Sequence, residues 1–235
     1  MDVQKGIDQL MNAVNVLILL VIALIYVVTG TRMGDDAIAA LSSGTVYRGA
    51  ENGCVALECA VTWDAMGVTQ MLDILAEENT QITFFVSGRW AKAHAATVQR
   101  MVQEGHEVAT CGYTPSLDGG VSLIEKDVAA STGIIEGITG QQVRYYYAGL
   151  RDRNTSARAA GQLGLIHVAA STDLLTGRGN ADAILQRASE QVFDGSLLML
   201  QPTAAAIAAL PELLEEIREL GYEPSTVSMA LKGTA

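Results

Sequence analysis

From Val55 onward the chain alternates short apolar runs with amphipathic stretches, and this alternation limits the fold more than any other feature. Runs at 55–63, 82–87, 107–113, 143–150, 166–173, 196–202 and 225–231 read as seven strands. Between them, 69–78, 90–104, 123–139, 155–163, 181–193 and 204–220 read as helices. Gly105, Gly140, Gly164 and Gly221 follow helices, where a C-terminal cap favours a residue tolerant of positive φ. Strict alternation of this kind produces a mainly parallel sheet with covering helices, either open or closed into a barrel. With 235 residues, 49% of them hydrophobic, the chain can bury one sizeable core and carry an appendage. No internal repeat occurs, and Ala204-Ala205-Ala206 reads as the start of a helix.

The appendage is N-terminal. After a short tail at 1–10, residues 11–30 contain no charge. That is just enough to cross a bilayer core, which takes about 20 helical residues. Its most apolar part, 16–28, also has the length of a signal-peptide core. Two features favour an uncleaved anchor. Lys5 is offset by Asp2 and Asp8, and Ala37 and Ala39 lie well past the apolar stretch. Lys5 on one side and Arg32 on the other leave the positive-inside count tied. Residues 31–53, rich in Gly and Ser, read as a tether to a domain at 54–235.

Charge and cysteine content exclude several classes. Lys and Arg number 15 against 26 Asp and Glu, a net charge of −11, which argues against nucleic acid and anionic polymers as partners. Cys54, Cys59 and Cys111 are an odd count without CxxC spacing, so neither a zinc knuckle nor a disulfide framework is expected. On one strand Cys54 and Cys59 are separated by about 17 Å, too far to bridge.

One segment carries a chemical pattern: Glu104-Gly105-His106-Glu107-Val108-Ala109-Thr110-Cys111-Gly112-Tyr113-Thr114-Pro115. It resembles the second motif of the polysaccharide deacetylase (NodB-homology) family, in which such a run leads into a metal-binding His-x-x-x-His. Here Cys111 and Pro115 occupy the histidine positions. Other landmarks follow in family order. They are Val55-Ala56-Leu57-Glu58-Cys59-Ala60-Val61-Thr62-Trp63-Asp64, Met71-Leu72-Asp73-Ile74-Leu75, Thr83-Phe84-Phe85 with Trp90, and Gly195-Ser196-Leu197-Leu198-Met199-Leu200-Gln201. The last is Ala209-Leu210-Pro211-Glu212-Leu213-Leu214-Glu215 running to Gly221-Tyr222. The pattern is most similar to the sporulation-type branch. It implies an irregular seven-stranded (β/α) barrel facing the cell exterior.

Family members typically hydrolyse an N-acetyl group with a metal held by one Asp and two His. A second Asp serves as base and a late His protonates the leaving amine. Amide cleavage needs such an electrophile, a nucleophile formed near neutral pH, and an acid. In the ungapped register the base falls on Ala60, the metal Asp on Val61, the metal histidines on Cys111 and Pro115, and the acid on Gln201. The third motif (R-P-P-Y-G) resembles Arg144-Tyr145-Tyr146-Tyr147-Ala148, and Asp173 keeps the acid of the fourth. Independently, catalytic groups of β/α barrels sit at the C-terminal ends of strands. His94 lies within a helix, while His106 and His167 lie at strand starts, so none is expected at the pocket.

The resemblance therefore implies a membrane-anchored envelope protein in which the catalytic set is lost together. Its vestigial pocket is expected to include Ala60, Trp63, Asp64, Cys111, Tyr113, Pro115, Arg144, Tyr146, Asp173 and Gln201. Neither a catalytic residue nor a metal is expected, and the partner is a cell-wall glycan or an envelope protein. Two alternatives stand beside this. One is an active, divergent N-deacetylase binding zinc through Asp64, Cys111 and Asp173. The other is a structural interaction module whose pocket is plugged by its own side chains.

Overall fold

The computed structural model describes residues 44–63 and 66–232. The tail, the apolar segment at 11–30, most of the tether and Asp64 lie outside the described residues. No described helix is long and apolar enough to cross a membrane.

Eight strands and eight helices occur among the described residues. In chain order they are β1 (Cys54–Val61), α1 (Met66–Glu77), β2 (Thr83–Val86), α2 (Gly88–Ala93), α3 (Ala95–Gln103), β3 (Glu107–Thr110), α4 (Val121–Thr139) and β4 (Tyr145–Tyr147). Then follow α5 (Arg153–Gln162), β5 (Ile166–Val168), β6 (Thr172–Asp173), α6 (Ala181–Gln191), β7 (Leu197–Leu200), α7 (Ala204–Glu219), β8 (Glu223–Ser225) and α8 (Val227–Ala230). Every strand pairing is parallel, in the order β5-β4-β3-β2-β1-β7-β6, with β8 added to β1.

The strands read as continuous apolar runs because both sheet faces are buried, as parallel sheets require. On β1, Val55, Leu57, Cys59 and Val61 face the helices, while Ala56 and Ala60 face the barrel interior. The outer layer packs against Leu72, Leu75, Leu210 and Leu213 of α1 and α7. Each such fully buried side chain contributes about 1.5–3 kcal/mol. Helix starts are marked by side chains that accept a backbone N–H: Ser87 from Trp90, Asp152 from Thr155, Asn180 from Ala183 and Thr203 from Ala206. A cap of this kind contributes about 1 kcal/mol.

Four expectations change. The barrel is open, with no ladder between β5 and β6. β6 has only two residues, and the outer edge of β5 is taken by Val46, whose backbone pairs with His167 O and Ala169 N. Residues 44–53 are therefore not a tether but a strap packed on the domain. Gly49 N and Ala50 N donate to Gly195 O and Ala230 O, each at 2.8 Å. Any Cβ on Gly49 would lie 2.4 Å from Ala230 O, so this close approach requires glycine. The run at 166–173 splits into β5 and β6. The run at 225–231 is mostly helix α8, because Thr226 caps it by accepting from Met229 N.

Candidate functional site

The loop after β3 is held from behind by a buried ion pair. Asp127 on α4 accepts from Tyr113 N at 3.0 Å, Thr114 N at 2.9 Å and Arg151 Nη2 at 2.7 Å. Arg151 also donates to Leu117 O at 2.9 Å, Thr114 O at 2.5 Å and Tyr146 Oη at 2.8 Å. Both side chains of the pair are buried, and every charge is met by geometry suited to it. Gly112 passes directly over this pair at φ +88°, where a Cβ would meet Asp127 Oδ2 at 2.5 Å and Arg151 Nη1 at 2.6 Å. Neither Asp127 nor Arg151 was singled out from the sequence. An ionisable residue inside an amphipathic helix looks like part of its solvated face until its buried partner is known.

In front of that loop a cleft of about 540 Å³ opens at the C-terminal ends of the strands. β1 and its loop supply Ala60, Thr62 and Trp63, and the β3 loop supplies Cys111, Tyr113, Thr114, Pro115 and Ser116. β4 and its loop supply Tyr147 through Leu150, with Asp173 at the end of β6 and Gln201 after β7. Ser87 and Arg89 close one side. Trp63 is 68% exposed at the mouth. The cleft is open rather than plugged.

Two expected pocket residues are elsewhere. Arg144 enters β4 from its N-terminal end, so it lines a separate recess of about 340 Å³ at the opposite rim, with His106, Glu107, Tyr145 and Ser228. Tyr146 points to the helix side, because alternate residues of a strand face opposite ways. Its ring lies against His167 at 5.5 Å and its hydroxyl accepts from Arg151. Tyr147 is the aromatic of β4 that reaches the cleft. Among the three histidines, none lines the cleft. His106 and His167 are buried, and burial lowers both to about 4, so they stay neutral at pH 7.

The chemistry left in the cleft is sparse. Ala60 and Pro115 carry no donor or ligand atom. Burial pushes the Cys111 thiol up to about 12, against a smaller lowering by Arg151, so it remains a thiol. Asp173 is exposed, and its Oδ1 accepts from Leu175 N at 2.8 Å. Burial first, then Asp173, Glu58 and Cys111, push Tyr147 up to about 12.

Glu58 is the residue that sequence reasoning passed over. It is fully buried between Ala56 and Ala60 on the inward face of β1. Neither carboxyl oxygen has a hydrogen-bond partner among the described residues. Burial, with a smaller effect of Glu107, raises it from 4.5 to about 8. The signal was present as a lone acid in the apolar run Val55-Ala56-Leu57-Glu58-Cys59-Ala60-Val61.

Among the described residues of the cleft, the side chains present are poor metal donors. A buried thiol and a carboxylate already capping its own turn are poor substitutes for the missing donors. Among the described residues no three His, Cys, Asp or Glu side chains converge on a point that could hold an ion.

Residues 56–168 match the family model described as Polysaccharide deacetylase. Over that stretch the chain is similar to polysaccharide deacetylases. Outside that match, the parallel sheet continues through β6, β7 and β8. Among curated relatives, the uncharacterized protein YlxY of Bacillus subtilis (strain 168) is 22% identical over 196 residues, 80% of this chain and 61% of that protein. The peptidoglycan-N-acetylmuramic acid deacetylase PdaC of the same organism is 28% identical over 166 residues, 68% of this chain and 34% of that protein. The chain thus spans less than two thirds of the length of either relative. Wild-type BA3943 from Bacillus anthracis, a CE4 family pseudoenzyme, superposes with a TM-score of 0.76 at 24% identity, over 81% of this chain and 70% of that one. At that identity the likeness is one of fold.

Proposed function

We propose that this polysaccharide deacetylase-like protein is a pseudoenzyme of the cell envelope, anchored by residues 11–30, that binds a glycan in the cleft without hydrolysing it. One observation carries the reading. The cleft is open, with aromatic residues Trp63, Tyr113 and Tyr147 in its lining, while Ala60, Pro115 and Gln201 leave nothing to generate a nucleophile or protonate a leaving amine. Aromatic faces can support the apolar faces of sugar rings, and an exposed Trp beside an open cleft is suited to that use. The likeness of fold to BA3943, which is itself described as a pseudoenzyme, is consistent with this reading.

The active alternative, in which Asp64, Cys111 and Asp173 hold zinc, draws no support from the cleft, because the Cys111 thiol is buried and hard to ionise. The test uses the full chain with N-acetylglucosamine oligomers, measuring binding by calorimetry and acetate release with and without added zinc. Binding without acetate release is the expected result. Zinc-dependent acetate release would overturn the pseudoenzyme reading, and absence of binding to any glycan oligomer would overturn the glycan reading.

A further inference from the structure

The large apolar side chains that this fold leaves most exposed gather at one opening. Among the described residues Leu150, Met66 and Trp63 are the most exposed of that kind, at 105%, 73% and 68%. Trp63 and Leu150 line the cleft, and Met66 opens α1 just beyond Trp63. Leu175, also exposed, lies in the loop that begins at the cleft residue Asp173. In the sheet, β4 and β6 lie on opposite sides of β1. Leu150, Trp63 with Met66, and Leu175 therefore occupy three separate positions around the mouth.

The backbone itself presents two of these side chains. Leu175 has φ +51°, a left-handed conformation that strains a leucine and that Asn or Gly adopts readily. Its N–H donates to Asp173 Oδ1 at 2.8 Å, which holds that turn. Gly149, at φ +64°, turns the chain immediately before Leu150, whose side chain is left without cover. A polar residue at either place would avoid the exposed apolar surface, and Asn at 175 would avoid the strain as well. Scattered exposed apolar residues need no explanation, but a cluster of them marks an interaction site. Inside the mouth, polar groups are available. Ser87, Ser116, Asp173 and Gln201 line it, and Thr62 Oγ1 is buried there without a hydrogen-bond partner among the described residues. Such an interior suits hydroxyl groups, whereas Leu150 and Leu175 give a sugar nothing to hydrogen-bond.

We infer that the ligand of this site is a glycan joined to an alkyl chain, with the sugar in the cleft and the chain passing out over the apolar rim. The inference rests on the glycan reading of the cleft and deepens it by naming the class of glycan, a lipid-bearing one. An opening with hydrogen-bonding groups inside and aliphatic surface at its rim matches a ligand divided in the same way along its length. Trp63 stands at the boundary, with a ring suited to both sugar and alkyl contact. The association is noncovalent, driven by removing alkyl and rim surface from water. A second copy of the chain is a poorer occupant, because two molecules of net charge −11 repel. The membrane position proposed for residues 11–30 is also where alkyl-bearing glycans reside.

The experiment titrates the full chain, held in lipid nanodiscs, with methyl, propyl and hexyl β-glycosides of an N-acetylglucosamine trimer, using calorimetry with empty nanodiscs as the blank. Affinity is expected to rise about two- to fourfold for each added CH2, the gain of moving a methylene from water onto apolar surface. Hexanol, which has the chain without the sugar, is expected to bind far more weakly. Met66→Gln combined with Leu175→Asn should flatten the chain-length dependence. Both positions are exposed and Asn suits the backbone at 175, so the variant is expected to fold. Affinity independent of chain length, with the methyl glycoside still bound, overturns the inference and leaves the glycan reading standing. Binding of no glycoside overturns both. Equal binding of hexanol and the hexyl glycoside overturns the inference by showing a bare apolar patch, and a rise that survives in the variant overturns it by placing the chain elsewhere. Sedimentation showing a dimer that the same variant dissociates would assign the rim to a second copy and overturn it too. If the variant fails to fold, the chain-length series on the unaltered chain still decides.

Discussion

Replacing Glu58 by Gln should change how stability depends on pH, and the magnitude can be worked from three buried groups. Glu58 is raised from 4.5 to about 8, so between those values the folded chain holds a proton that the unfolded chain has released. Stability therefore falls with rising pH across that window, by about 1.4 kcal/mol per pH unit. His106 and His167 act oppositely. Burial lowers both from 6.5 to about 4, so between those values the unfolded chain holds protons the folded one lacks. Their contribution is lost as pH falls, at up to about 2.7 kcal/mol per unit for the pair. The histidines dominate below pH 6.5, and Glu58 alone acts between 6.5 and about 8. The stability maximum should lie near pH 6.5, with a loss of about 2 kcal/mol by pH 8. In Glu58→Gln that loss should disappear. The variant should also be the more stable protein at pH 8. The full Glu58 shift corresponds to about 5 kcal/mol, against about 1–3 kcal/mol for leaving an amide unpaired. Urea denaturation of the full chain in mild detergent, followed through the buried Trp90, measures both. Parallel profiles for the two proteins between pH 6.5 and 8 would refute the placement of Glu58 as an unpartnered buried acid.

Three further outcomes follow from the site. Asp127→Ala leaves the Arg151 guanidinium buried without its counter-ion and frees Tyr113 N and Thr114 N. It should cost about 3–5 kcal/mol in urea denaturation and raise hydrogen exchange of the loop at 111–117, and Asp127→Asn should recover part of that loss. Trp63→Ala should weaken binding of the preferred glycan oligomer about tenfold or more while shifting stability by less than about 0.5 kcal/mol, because the ring is exposed. A large loss of stability would show instead that Trp63 is packed. Cys111 is a buried thiol, so iodoacetamide should label the half-buried Cys54 first, and label Cys111 only on unfolding. Rapid labelling of Cys111 in the native chain, measured by peptide mass spectrometry, would favour a reactive cleft cysteine.

Much of this was legible in one dimension. Helices α1, α4, α6 and α7 lie within a residue or three of their expected ranges, because amphipathic spacing and capping residues such as Asn180 and Thr203 are local properties. Strands β1 and β2 were legible for a related reason, since a strand buried on both faces is mostly apolar. The ends were less legible. Thr226 caps helix α8 where the apolar run suggested a strand, and His94 divides one expected helix into α2 and α3.

What the sequence by itself determined is the order of elements and the loss of donors. Ala60 and Pro115 offer no ligand atom in any conformation. Only the tertiary structure decided which side chains share the cleft. Direction along β4 put Arg144 at the far rim, and alternation along it sent Tyr146 outward and Tyr147 in. It also decided that Val46 closes the edge of β5, that Arg151 finds Asp127, and that Glu58 finds no partner among the described residues. Pairing between residues distant in sequence depends on where strands lie in the sheet, and an acid's charge and cost depend on what surrounds it, neither of which is a property of the residue alone.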